Sequence, residues 1–222
     1  MNTPTVSPRK LIHSLLLSKG RMEALTDGIF AIAMTLLVLE LKVPEMPKSA
    51  GASELLRRIG EQGPEFLSFV ISFMYCGVLW LMHHLAMHFV RHLQIALVWL
   101  NLVFLMSISV MPYSCGLLGH FVHNRAAQEI YYGNMFLAAA LLALQWLVAK
   151  KKKLLNEDDP RTARALAQQI IFFPTAVGMA MAATLFSPTA GSYAFLIALV
   201  ALRLWQKKKF SEPAPTPASP SS

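Results

Sequence analysis

The chain has 222 residues, of which 55% are hydrophobic and 14% charged, and its mean hydropathy is +0.48. A soluble domain of this size carries about 25% charged residues, so the composition excludes an ordinary soluble domain and fits a surface that largely faces lipid. The net charge of +8 would suggest a nucleic-acid partner on a soluble protein, but Lys and Arg here sit at the ends of apolar runs, where they anchor and orient helices, and no nucleic-acid binding is expected.

Residues 1–18 read as a cytoplasmic N-terminal segment with Arg9 and Lys10. Their apolar stretch, Leu11 to Leu17, is short and a longer run follows, so no cleavable signal peptide is expected. A spanning helix needs about 20 mostly apolar residues. The first such run extends from about Met22 to Leu41 and is ended by Pro44 and Pro47. In the polar loop that follows, 53–59 reads as a short amphipathic turn at the interface with Ser53 as N-cap. The second span starts after Gly63-Pro64 and runs to about Met82, and the third covers roughly Leu93 to Cys115. Cys76 and Cys115 lie in these runs and form neither a disulfide framework nor a metal motif; they read as small core residues. The fourth span covers roughly Ile130 to Ala149 and stops at Lys150–Lys153. After an acidic linker the fifth covers roughly Ala167 to Phe186, with Pro174 as a kink. The sixth covers roughly Thr189 to Trp205, before Lys207–Lys209. The predicted fold is an all-α integral membrane protein, with a six-helix transmembrane domain over residues 19–209 and a disordered cytoplasmic tail over 210–222.

Orientation follows from the 20 Lys and Arg residues. With the N-terminus inside, only Lys42, Lys48, Arg57, Arg58 and Arg125 fall outside, and the other fifteen fall inside. This bias predicts that both termini are cytoplasmic, which in turn requires an even number of spans.

The first span carries Asp27 within its apolar stretch. A carboxylate at the centre of a span costs about 2.5–3.5 kcal/mol and less near an end, so Asp27 should face protein or water and find a partner, either Arg21 or a polar group on another helix. At about 100° per residue, Ile32, Leu36 and Leu39 line one stripe bordered by Thr35, while Asp27 lies on another side. Periodicity alone leaves that stripe open to ordinary packing or lipid contact. The second span ends with Trp80, His83 and His84, followed by His88 and His92. The repeat His84, His88, His92 permits a metal site in principle, but no acid or cysteine accompanies it and interfacial histidines are the plainer reading. Asn101 lies deep in the third span and should hydrogen-bond across helices. Asp27, Trp80, His84 and Asn101 are therefore candidates for one buried network, since lipid offers none of them a partner. There is no enzyme signature and no Thr-Val-Gly-Tyr-Gly filter, so no catalysis is expected.

The run Arg21-x-x-Ala24-Leu25-Thr26-Asp27 and the aliphatic helix after it resemble the first-helix signature of the bacterial relatives of the lysosomal potassium channel, the transmembrane protein 175 family. Trp80-x-x-His83-His84 and Trp99-Leu-Asn101…Met-Pro112 fit the same resemblance, which spans roughly residues 19–208. Leu25 and Thr26 stand where the family has Phe and Ser. The resemblance implies a homotetramer of six-helix subunits whose first helices surround a central pore. By position, Ile32, Leu36 and Leu39 become its constriction and Thr35 a candidate ion contact. Arg21, Asp27, Trp80, His83 or His84, and Asn101 become the network that holds the pore helix. The expected function is passive, potassium-preferring cation conduction in the bacterial inner membrane, with potassium as the permeant ion, membrane lipid and sister subunits as partners, and no cofactor or bound metal. Two rival readings are a proton- or cation-coupled transporter with Asp27 and the histidines as relay, and a non-conducting scaffold.

Overall fold

The structure is a computed structural model, and it describes residues 18–156 and 159–187. Within them the chain forms seven α-helices and one 3₁₀ turn: α1 (Lys19–Leu36) running into the 3₁₀ turn (Leu37–Glu40), α2 (Ala52–Glu61), α3 (Gly63–Phe89), α4 (Ile95–Ser109), α5 (Met111–His120), α6 (Arg125–Lys151) and α7 (Pro160–Thr184). Five stretches are long and apolar enough to cross a membrane: Lys19–Glu40, Gly63–Phe89, Ile95–His120, Arg125–Lys151 and Pro160–Thr184. At about 1.5 Å per residue each exceeds 30 Å. The protein is a multi-pass, all-α membrane protein. The expected sixth span and both terminal segments lie outside the described residues.

Helix ends differ from the sequence reading where polar residues find partners. α3 continues to Phe89 because His83 is buried and hydrogen-bonded instead of ending the span. The third span is two helices, broken at Val110, and Pro112 at the start of α5 has no N–H to continue the ladder of α4. α6 begins at Arg125, where the Asn124 side chain accepts from the backbone N–H groups of Ala126 and Ala127 at 2.9 and 3.3 Å. α7 begins at Pro160, capped by Asp159 accepting from Thr162 N–H at 3.1 Å, and runs through Pro174 unbroken. The amphipathic segment is a full helix, α2, capped by the Gly51 backbone with no side-chain cap, so the N-cap expected at Ser53 is not formed.

α6 is the hub: it packs on α7 and α4, while α5 packs on α3. Phe30, Leu37, Leu79, Phe104, Tyr131, Met135 and Ile170 belong to one core. A smaller cluster of Met22, Met87, Val90, Leu93, Leu97, Ala149 and Leu154 closes one end of the bundle. At that end the α6–α7 linker is tied to the α3–α4 loop by Arg91 N–H to the Leu154 carbonyl (2.9 Å) and Asn156 N–H to the Phe89 carbonyl (2.7 Å). Lys19 reaches the Val90 carbonyl at 3.2 Å, so the start of α1 belongs to the same end.

Candidate functional site

α1 presents two unlike faces. Met22, Thr26, Phe30, Ala33 and Leu37 recur every three or four residues and are buried against the chain's own helices. The opposite side is bare: Ile32 is 57%, Leu36 42% and Leu39 67% exposed, and Thr35 beside them is exposed too. Only 28% of the apolar window of this span is buried within the chain, the lowest share of the five spans, against 56% for α6. The Thr35 hydroxyl lies 2.9 Å from both the Ala31 and the Ile32 carbonyls. Its proton is thus spent inside the helix, and its oxygen lone pairs are left for another partner.

The polar residues fall into two connected sets on α1, α3 and α4. In the buried set, Asn101 Nδ2 donates to Thr26 Oγ1 (3.1 Å), and Thr26 donates to the Met22 carbonyl (2.9 Å). His83 Nε2 lies 2.8 Å from Asn101 Oδ1. An amide oxygen only accepts, so the His83 proton sits on Nε2. The His83 ring stacks on Phe104 at 5.3 Å. His83 and Asn101 are 2% and 1% exposed. In the second set the Trp80 indole N–H donates to Asp27 Oδ1 at 2.8 Å, and the Trp80 ring stacks on His84 at 5.8 Å.

Several expectations are thereby sharpened. Asp27 is not buried within the chain: it lies one residue, about 100°, round the helix from Thr26, at the edge of the contact, and it is exposed. Its partner is Trp80. Arg21 is exposed, and no ion pair or side-chain hydrogen bond joins it to another described residue. His83, not His84, belongs to the buried set with Asn101. Of the further histidines, His88 sits edge-on to Phe89. Among the described residues no three His, Cys, Asp or Glu side chains converge as metal ligands. Thr26 and Phe104 are the members that sequence reasoning missed. The only signal for Thr26 was a hydroxyl beside the conspicuous acid. Leu25, one of the two departures from the family pattern, is 46% exposed and is not part of the chain's core.

Residues 21–112 match the family model described as the endosomal/lysosomal potassium channel TMEM175. A potassium channel of Streptomyces collinus is 34% identical over 171 residues, covering 72% of this chain and 82% of its own length. The chain belongs to the TMEM175 family. A potassium channel of Chamaesiphon minutus is 33% identical over 160 residues, covering 70% of this chain and 78% of its own. Among solved structures, a lysosomal potassium-selective channel TMEM175 homolog from Chamaesiphon minutus superposes with a TM-score of 0.72 at 30% identity, over 83% of this chain and 97% of that one. The cattle relative, named an endosomal/lysosomal proton channel, is 40% identical over 84 residues, which are 35% of this chain and 18% of that protein. All four are named as channels; none is named as an enzyme. The matched segment runs from α1 into the start of α5 and so holds both polar sets and the exposed aliphatic stripe.

Proposed function

We propose that this TMEM175-family chain is one subunit of a homotetrameric, potassium-preferring cation channel of the bacterial inner membrane, with both termini in the cytoplasm. Its pore is lined by Ile32, Thr35, Leu36 and Leu39. The observation that carries this reading is the division of α1: one face is fastened to α3 and α4 by Thr26, Asp27 and their partners, while the aliphatic face is left uncovered. Four such faces about an axis make rings of apolar side chains. A narrow apolar ring empties of water and stops the ion with it; rotating or parting the helices rewets it. Potassium gives up its water more readily than sodium, so a dehydrating constriction favours it. The Thr35 oxygen offers a replacement ligand at the same level.

The relay needed by a coupled transporter finds less support. Asp27 is held by an indole N–H, which donates but cannot accept a proton, and the buried histidine is hydrogen-bonded to Asn101, which in turn bonds Thr26, instead of to Asp27.

The test is flux from liposomes containing purified protein of measured oligomer mass. Wild type should pass potassium faster than sodium without an imposed pH gradient. Leu36→Ala should weaken the block to sodium, and Ile32→Asn should raise resting leak. Currents unchanged in both variants would sink the pore assignment; saturable flux that requires a pH gradient would favour the transporter.

A further inference from the structure

We infer that Glu40 is a positioning residue for the constriction: its side chain lies in a slot that Gly116 leaves open, and this seat holds the outer end of the pore helix against α5. The inference rests on the pore reading above. After Leu36 the helix tightens into the 3₁₀ turn Leu37–Glu40. Such a turn has poorer hydrogen bonds than an α-helix and depends more on its contacts for its shape. Leu37 is fully buried on the bundle side, Leu39 is 67% exposed on the other, and Glu40 follows directly. The turn packs on α5.

Gly116 lies on α5 and is buried. A Cβ built on it would fall 1.8 Å from Glu40 Oε2, 2.6 Å from Cδ and 3.2 Å from Cγ. The carboxyl end of Glu40 therefore occupies the volume that any side chain at 116 would need. Gly116 has no positive φ, so what the fold uses here is the missing side chain and not glycine's backbone freedom. No ion pair to another described residue holds Glu40, which leaves shape as the fastening. The seat fixes the direction in which the adjacent Leu39 projects.

The atoms that a methyl group at 116 would displace are the far end of a flexible side chain. Gly116→Ala should therefore evict the carboxyl while the helices stay in place. In the liposome assay, Gly116→Ala and Glu40→Ala should each raise potassium flux roughly three- to tenfold, and the double variant should match the singles because all three lose one and the same contact. Glu40→Gln, which keeps the shape, should behave as wild type. Glu40→Ala introduces no clash, so it carries the test if Gly116→Ala fails to assemble. Normal flux in an assembled single variant, singles whose effects multiply in the double, or Glu40→Gln behaving as Glu40→Ala would each overturn the seat. Wild type, Leu36→Ala and Ile32→Asn run alongside separate the two readings. If Leu36→Ala or Ile32→Asn alters conduction and the Glu40 and Gly116 variants do not, the seat alone falls; if wild type passes no ions or both Leu36→Ala and Ile32→Asn change nothing, the pore reading falls and the seat with it.

Discussion

Asn101 donates to Thr26 on α1 and accepts from His83 on α3, so one amide side chain joins three helices. Replacing it by Leu leaves the His83 N–H buried without an acceptor, while Thr26 keeps its bond to the Met22 carbonyl. A buried donor left alone costs about 1–3 kcal/mol, whereas removing both partners together is nearly neutral. Asn101→Leu should therefore lower the thermal midpoint of the purified protein in detergent, and Asn101→Leu with His83→Leu should recover part of the loss. If the double variant shows the sum of both losses, the pair is not coupled. The outer set obeys different chemistry. The Trp80 N–H needs an oxygen acceptor, which Asn supplies as well as Asp does. Asp27→Asn should keep the wild-type assembly size in sizing measurements, whereas Asp27→Leu and Trp80→Phe should alter it. Equal change in Asp27→Asn and Asp27→Leu would show that the charge, not the hydrogen bond, matters. A charge in an apolar run is conspicuous, so Asp27 was legible from sequence. Thr26 was not, because a hydroxyl that can bond its own backbone carries little hydropathy signal. The Glu40–Gly116 contact was equally silent, since it depends on two helices 76 positions apart meeting at one glycine.

At the scale of elements, the existence of five spans was legible because lipid demands long apolar runs, but their ends were not. Hydropathy closed the second span near His83, and the structure carries α3 on because Asn101 satisfies that ring. It opened the fifth span late because Arg161 and Arg164 are charged, yet helix geometry continues beyond the apolar segment once Asp159 caps it. The break at Val110 had a sequence signal in Pro112 that an unbroken apolar pattern hides. α5 must also lie very close to α3: a Cβ on Gly119 would come 3.0 Å from the Glu65 backbone Cα. Backbone cannot step aside as the end of a side chain can, so Gly119→Ala should lower the thermal midpoint more than Gly116→Ala does; the reverse order would contradict the packing. α2 divides cleanly between Leu55, Leu56 and Ile59 on one face and Glu54, Arg57, Arg58 and Glu61 on the other. Arg57, at 2.7 Å, and then Arg58, at 3.0 Å, hold the Glu54 carboxyl down at about 2. A depressed carboxyl supports the helix above its ordinary value near 4.5 and ceases to do so as pH falls towards 2. Solvent and salt screen a fully exposed pair, so the effect is local to α2. Hydrogen exchange over 52–61 at neutral pH should therefore be faster in Glu54→Gln than in wild type, with the rest of the bundle unchanged.

For the whole molecule, the matched family segment ends at residue 112, so what defines the family here is α1 with the two helices that fasten it. α6 and α7 complete the bundle behind them, and α1 keeps the barest face. Both lipid and an aqueous pore tolerate Ile32, Leu36 and Leu39, and hydropathy could not separate the two. Chemistry can, because a thiol reacts with a charged, water-soluble thiosulfonate only where water reaches it and lets it ionise. The two native cysteines, Cys76 and Cys115, are fully buried, which keeps the background low. Leu36→Cys and Leu39→Cys, tested in conducting liposomes, should react and lose potassium flux as the attached charged group fills the proposed constriction. Met106→Cys replaces an α4 side chain that is 61% exposed and lies outside the aliphatic stripe of α1; under the pore reading it should neither react nor alter flux. Reaction at 106 with none at 36 or 39 would place the water path on α4 and return the stripe of α1 to lipid.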